Sequence, residues 1–312
     1  MKILTAETDL TSATNISKAP VVRVYNSDSS AITLTRKSNA GTTIGSYSVP
    51  PSKVIYCQKS YTDTLEGGAA LKATGVGYSE ELDIICLGNG GGSSIITSGL
   101  IVHLDAENSD SYSGSGSTWS DLTSNNNDFG INGSPTFNSS TPKNFEMDGS
   151  DDYMGRASQT ISMNNGATIE AWINKTSSSF YSGIFNFRQF QYLNLFWYGS
   201  GTKFRFEAHD TAITNRQIFS SAKSYGNWYQ FVGVADNNNG LYMYLNGSLE
   251  TSRTDNVADI PSSITSKMYV GYDNVNYEPK MKVAIIRVYN RPLTSTEVLN
   301  NYNVNKSRFG LS

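Results

Sequence analysis

Charge is scarce in this chain of 312 residues: Asp, Glu, Lys and Arg together make up 16 %, and the net charge is −3. A nucleic-acid partner requires a basic stripe, and none is visible, so DNA or RNA binding is excluded. Long apolar runs are missing too, and nothing approaches the roughly 20 residues of a membrane span. The opening residues, "MKILTAETDLTSATN", hold one early Lys and no apolar centre, so they do not read as a secretory signal. Cysteine occurs twice, at Cys57 and Cys86, too seldom for a disulfide scaffold; packed thiols are expected rather than a bridge. Histidine also occurs twice, at His103 and His209, outside any H-E-x-x-H spacing. No G-x-S-x-G elbow is present, so neither zinc nor serine hydrolysis has a motif to rest on.

What the chain does have is Ser, Thr, Asn and Gly in quantity, 38 % hydrophobic residues and 12 % aromatics, 19 of them Tyr. Such a composition can bury cores, and short strands joined by polar turns suit it. In residues 20–87, "VVRVYN", "AITLTR", "TIGSYSV" and "KVIYCQ" read as strands, with "ALKATGVGY" and "LDIICL" completing a small β-sandwich or barrel. "GNGGGSS" at 88–94 reads as a linker. It is not a phosphate loop: Ser93 stands where G-x-G-x-x-G needs its third Gly, and "IITSGLIVHLD" continues as strand, not helix. From Gly99 to about Tyr289 further strands follow, among them "GLIVHLDA", "TIEAWI", "YLNLFWYG", "WYQFVGVA" and "KVAIIRVYN". Alternating apolar and polar positions with hairpin turns such as "LNGS" argue for two packed antiparallel sheets. The expected organisation is all-β, with an N-terminal β-domain at 1–87, a linker at 88–98 and a jelly roll at 99–312 ending in one short helix. There Pro292 stops the last strand, and Thr294 with Glu297 forms a capping box, stapled by Leu293 and Val298. Leu299 and Tyr302 are expected to share the helical face that packs on the sandwich.

Residues 99–304 resemble the laminin-G-like domains of the concanavalin A-like superfamily. The resemblance rests on "GLIVHLDA", "WSDLTSNNNDFG", "FEMDGSDDYM", "TIEAWI", "WYQFVGVADNNNGLYMYLNGSL", "YVGY" and "VAIIRVYNRPLTSTEVLNNY", in family order. One departure is Ala284-Ile285-Ile286 where relatives often carry Asp-Glu before the closing strand, which removes a carboxylate that could reach a metal. Residues 1–87 resemble the leading domain of virion structural proteins in tailed phages, through "VVRVYNSDSSAITLT" and "KSYTDTL".

Candidate chemistry follows. Relatives hold Ca²⁺ near a loop end of the sandwich, and Asp-rich loops supply the oxygens that ion prefers; Asp105, Asp121 and Asp128 are the candidate ligands, unless they serve only as turn formers. Glu170 and Glu207 are the best-placed single carboxylates, but no compact E-x-D-x-x-E run accompanies them, so each reads as surface or hydrogen-bonded and no glycosidase is expected. Trp172 and Trp228 sit in strand patterns that indicate core packing, whereas Tyr272, Asn274 and Tyr277 lie in a turn-rich loop where recognition would occur. Together the resemblances imply a non-enzymatic bacteriophage virion surface protein, a capsid decoration or fibre protein. Its first domain would attach to capsid or tail proteins, and its second would face host-surface glycans. Virion symmetry implies a homo-oligomer. The alternatives are a tail-fibre receptor-binding protein, or a lectin module of a cellular adhesin.

Overall fold

In the computed structural model, the described residues are 7–12, 14–16, 21–38, 40–58, 63–75, 84–86, 95–177, 182–187, 193–198, 202–209, 215–254, 260–272 and 279–311. The chain divides into two compact units, Met1–Ile95 and Ile96–Ser312. Residues 88–94, read above as linker, lie outside the described residues, as do Asn274 and Tyr277.

The first unit contains strands β1 (Thr8–Leu10), β2 (Val21–Asn26), β3 (Ile32–Lys37), β4 (Thr43–Val49), β5 (Val54–Gln58), β6 (Thr64–Glu66), β7 (Gly68–Gly75) and β8 (Ile84–Cys86). They form a five-stranded sheet in the order β1-β7-β2-β5-β8 and a three-stranded sheet in the order β4-β3-β6. Alternate residues of both sheets, Val22, Val24, Leu34, Val49, Ile55, Leu71 and Ala73 among them, close one apolar core. Cys57 is part of that core. Arg36 is also buried there and donates through Nε to Asp63 at 2.7 Å, a pairing that makes the burial of either charge tolerable.

The second unit holds β9 (Leu100–Asp105), β10 (Thr118–Trp119), β11 (Phe129–Asn132), β12 (Thr136–Asn138), β13 (Asn144–Asp148), β14 (Tyr153–Ser162), β15 (Gly166–Lys175) and β16 (Ser182–Phe187). It continues with β17 (Leu193–Tyr198), β18 (Lys203–His209), β19 (Asn215–Phe219), β20 (Trp228–Asp236), β21 (Gly240–Leu245), β22 (Ser248–Arg253), β23 (Ser263–Val270) and β24 (Lys280–Tyr289). One sheet runs β10-β11-β14-β23-β16-β17-β18-β19. The other runs β12-β13-β24-β15-β20-β21-β22, with β9 also on β24. Phe185, Leu195, Trp197, Phe204, Phe206 and Met268 from the first sheet meet Ile169, Ala171, Phe231, Met243 and Ile286 from the second in a single core. This is the expected two-sheet jelly roll.

The central strand β15 departs from simple alternation, because all ten of its residues are buried. Ala167, Ile169, Ala171 and Ile173 face the sandwich core. Thr168, Glu170 and Trp172 point the opposite way, and helix α1 (Ser295–Asn305) with a following 3-10 turn (Lys306–Phe309) covers them. Thr168 Oγ1 donates to Arg291 O and accepts from Leu293 N, both at 2.9 Å, which pins the turn leading into the helix. The cap is as expected: Thr294 accepts from Glu297 N, the Glu297 carboxylate accepts from Thr294 N, and Leu293 and Val298 are buried beside it. Arg291 adds an ion pair to Glu297 at 2.6 Å. Leu299 corrects the reading of the helical face, since it is 44 % exposed while Val298, Asn301, Tyr302 and Asn305 are buried. The helix has eleven residues, the one short helix expected.

Glu170 lies at the centre of this covered face, with no exposed surface. Its Oε1 accepts from Trp172 Nε1 at 3.0 Å, Gln230 Nε2 at 3.0 Å and Arg287 NH1 at 2.9 Å, and its Oε2 accepts from Asn301 Nδ2 at 2.8 Å. Asn301 Nδ2 also donates to the Tyr289 hydroxyl, which donates to Ile96 O. Gln230 Oε1 accepts from Gly247 N at 3.0 Å. Each surrounding strand and the helix therefore sends one donor to one carboxylate. Trp172 is buried as expected, but under the helix rather than between the sheets, with Phe309 stacked on it at 4.3 Å and 19°. Trp228, half-buried, packs on the same Phe309 at 4.8 Å. Removing the cation of a buried pair leaves a carboxylate with no counter-charge, so Arg287→Met is expected to destabilise the second unit by about 3–5 kcal/mol in urea unfolding. Arg287→Met paired with Glu170→Gln should recover much of that loss, and a double variant as weak as the single one would show that charge pairing is not what holds this face.

Candidate functional site

The three aspartates proposed from sequence have other occupations. Asp121 turns its carboxylate onto the free edge of β9: Oδ1 accepts from His103 N at 2.8 Å and Thr123 N at 3.1 Å, while Oδ2 accepts from Asn127 N at 2.9 Å and Thr123 Oγ1 at 2.6 Å. Asp128 Oδ1 accepts from Asp121 N at 2.8 Å, holding the same loop closed. Asp105 forms an ion pair with Arg308 at 2.6 Å and accepts from Glu107 N. These carboxylates stabilise loops and a strand edge, and the three do not converge on a common point.

Another trio does. Ligand atoms of Asp148, Asp151 and Asp152 lie within 4.8 Å of one another, the group of this kind found among the described residues. Asp152 is buried and committed to the turn, accepting from Ser134 N at 2.6 Å and Asp148 N at 3.0 Å. Asp148 and Asp151 are exposed, and Asp148 Oδ1 accepts from Ser150 N at 2.8 Å. Asp148 Oδ2 and the Asp151 carboxylate are thus the oxygens a hard cation would meet, with water completing its shell; as a donor set this fits Ca²⁺ in kind.

Beside that turn stands a cluster of tyrosines. Tyr153 opens β14, Tyr269 lies on β23, and Tyr272 follows Gly271, where an added Cβ would run into Met147 and approach Asp152 O. Ring centroids are 5.9 Å apart for Tyr153–Tyr269, 5.1 Å for Tyr153–Tyr272 and 5.0 Å for Tyr269–Tyr272. The Tyr269 and Tyr153 rings lie over Gly155, where an added Cβ would meet Tyr269 at 3.0 Å and Tyr153 at 3.4 Å, so glycine is what lets these two approach the sheet. Tyr153 and Tyr272 are half-buried, and no described residue hydrogen-bonds to any of the three hydroxyls. Register carries the same outer face of the sheet from Tyr269 to Asn186, Asn194, Glu207 and Gln217. Asn186 Nδ2 donates to Tyr272 O, and Asn194 Nδ2 is buried without a partner among the described residues. Glu207 pairs with Arg205 at 2.9 Å, whose guanidinium lies 4.4 Å from the Phe196 ring and 5.0 Å from that of Tyr198. Tyr272, the sequence-derived candidate within the described residues, packs with Tyr153 and Tyr269. Sequence reasoning passed over both, yet "DDY" and "YVGY" place tyrosines where strands β14 and β23 meet the same turn.

Neither carboxylate considered for catalysis is presented to a cleft: Glu170 has four donors under the helix, and Glu207 is buried beside Arg205. His103 is held neutral. Its pKa is lowered from 6.5 to about 3, first by burial and then by the charges of Arg287 and Arg308. The side chain of His209 lies outside the described residues.

The architecture so far defines a lectin-type β-sandwich whose polar, aromatic outer face ends in a tyrosine cluster. Residues 148–299 match the laminin-G-type family model of the concanavalin A-like lectin/glucanases superfamily, so the second unit carries a domain of that superfamily. No curated protein matches the chain. Among solved structures, it is similar to the binding domain of Paraclostridial Mosquitocidal Protein 1, with 13 % identity, a TM-score of 0.55, and coverage of 68 % of this chain and 55 % of that one. The receptor-binding domain of botulinum neurotoxin type G has 14 % identity and a TM-score of 0.53, covering 69 % and 54 %. The ligand-binding domain of botulinum neurotoxin serotype D, solved with N-acetylneuraminic acid, has 13 % identity and a TM-score of 0.51, covering 65 % and 50 %. The chain spans about half the length of these structures, and at such identity the likeness establishes the fold.

The histidine generates a pH dependence. Unfolded His103 takes up a proton below about pH 6.5 while the folded group stays neutral to about pH 3, so its stabilising contribution is complete above the first value and is lost as pH falls toward the second. At pH 5 the loss is expected to reach about 2 kcal/mol. Unfolding of wild type and His103→Gln compared at pH 7 and pH 5 would reveal it as a shallower slope in the variant; parallel slopes would show that His103 is not the group responsible.

Proposed function

We propose that the protein is a non-enzymatic surface adhesion protein whose second unit binds glycans at Tyr153, Tyr269 and Tyr272. The observation that carries this reading is the tyrosine cluster: three rings with centroids within 6 Å of one another, two of them half-buried, with hydroxyls that no described residue engages. Sugar rings present C–H faces that stack on such rings, and phenolic hydroxyls bond the sugar's edge. The fold family supports it, as does the sialic-acid and receptor-binding character of the similar structures. In the same reading, the first unit attaches to capsid or tail proteins of a phage particle, as a decoration or fibre, and copies of the chain assemble together. Ca²⁺ enters at Asp148 and Asp151, next to the tyrosines, rather than at Asp105, Asp121 and Asp128.

Binding of the full chain to a glycan array, and to vesicles with and without gangliosides, tests the site. Tyr153→Ala and Tyr272→Ala are each expected to weaken binding about tenfold, the value of one stacking contact, without moving the thermal midpoint. Unchanged affinity in both variants would refute the site. The same titrations and melts in Ca²⁺ and in EDTA decide the cation: equal affinity and equal midpoint remove it from the reading. Immunolabelling of purified particles decides the location, and a protein absent from particles yet present on a cell envelope favours the cellular adhesin.

A further inference from the structure

A buried donor without an acceptor is costly, and a protein that keeps one calls for a reason. Asn194 is such a residue. It lies on β17 with 2 % exposure, and its Nδ2 has no acceptor among the described residues. Leu193 and Leu195 on either side of it enter the sandwich core, which turns the Asn194 amide onto the outer face of the sheet. There it stands directly across from Asn186 of β16, and Asn186 stands across from Tyr269 of β23. Three adjacent strands span roughly 10 Å, so both amides lie beside the tyrosine cluster.

Asn186 is tied to that cluster. Its Nδ2 donates to Tyr272 O, which leaves Oδ1 with no donor among the described residues. Next to the rings, the sheet therefore presents one acceptor, Asn186 Oδ1, and one donor, Asn194 Nδ2, that no described residue uses.

We infer that these two amides read the acetamido group of a neutral N-acetylated sugar whose ring lies against the tyrosines. The inference rests on the glycan-binding reading above and names the class of sugar. An acetamido group carries its C=O and N–H on opposite edges of one plane, which suits a donor on one strand and an acceptor on the next. A hydroxyl in its place offers a single atom where two strands each present a group. The acetamido methyl adds apolar surface for the neighbouring rings. Charge selects against an acidic group at this position. Glu207 stands across from Asn194 on its other side, so an acid drawn to Asn194 would meet a carboxylate that already holds its cation, Arg205.

The experiment is titration of the full chain with pairs of neutral glycans from an array, the members of each pair differing only by acetamido against hydroxyl. Wild type is expected to bind the acetylated member about tenfold more tightly, roughly the worth of one well-made hydrogen bond. Asn194→Leu removes the donor at similar volume. It should bring the acetylated member down to the affinity of its partner, leave the partner unmoved, and not lower the thermal midpoint, because an unpartnered donor leaves the interior. If that variant fails to fold, Asn194→Asp, which keeps the shape and replaces the donor with a carboxylate, should lose at least as much. Equal affinity for both members in wild type overturns the inference, as does a preference that either variant retains, which would leave Asn194 with water as its only partner. A preference for acidic over neutral acetylated sugars also overturns it. Binding that needs Tyr153 and Tyr272 but ignores the acetyl group leaves the tyrosine site standing and removes only this assignment. An array on which nothing binds removes both.

Discussion

One buried carboxylate organises the second unit. Glu170 sits mid-strand on β15, the strand that both β20 and β24 flank, and its two oxygens collect donors from β15 itself, β20, β24 and the helix. An isolated charge in that position would be too costly to bury; four donors, one of them a guanidinium, make it tolerable only when every contributor is in place. The arrangement gives direction rather than bulk stability. Apolar contact between helix and sheet would permit sliding, whereas the Asn301–Glu170 bond admits one register.

Much of the fold could be read from the chain because a strand's period of two is written directly into side-chain order, and the turns used Asn and Gly where positive φ was needed, as at Asn165 and Asn246. The capping box at Thr294 was equally legible, since its logic is local. What alternation cannot tell is which side of a strand meets the core. Trp172 shares parity with Glu170, and only the helix arriving from far downstream makes that side dry. Leu299 illustrates the same limit: its helical position is one residue from Val298, which is fully buried, yet it faces solvent. The carboxylates show a third limit. Asp and Asn in a loop look alike whether they hold a cation or cap a neighbouring strand, and the edge of β9 is what engages Asp121. The tyrosines of the candidate site lie more than a hundred positions apart, Tyr153 on one strand and Tyr269 on another, and are brought together by register alone.

The distance between Glu170 and Asn301 in the chain also sets an order of events. The bond joins positions 131 residues apart, so for as long as the helix is unsynthesised the carboxylate on the central strand faces open solvent and must stay there. Strands β15, β20 and β24 cannot settle into a dry outer face before the helix arrives. A ribosome would have to deliver nearly the whole unit before any of it becomes committed, which makes premature closure around an incomplete chain unfavourable and final closure cooperative.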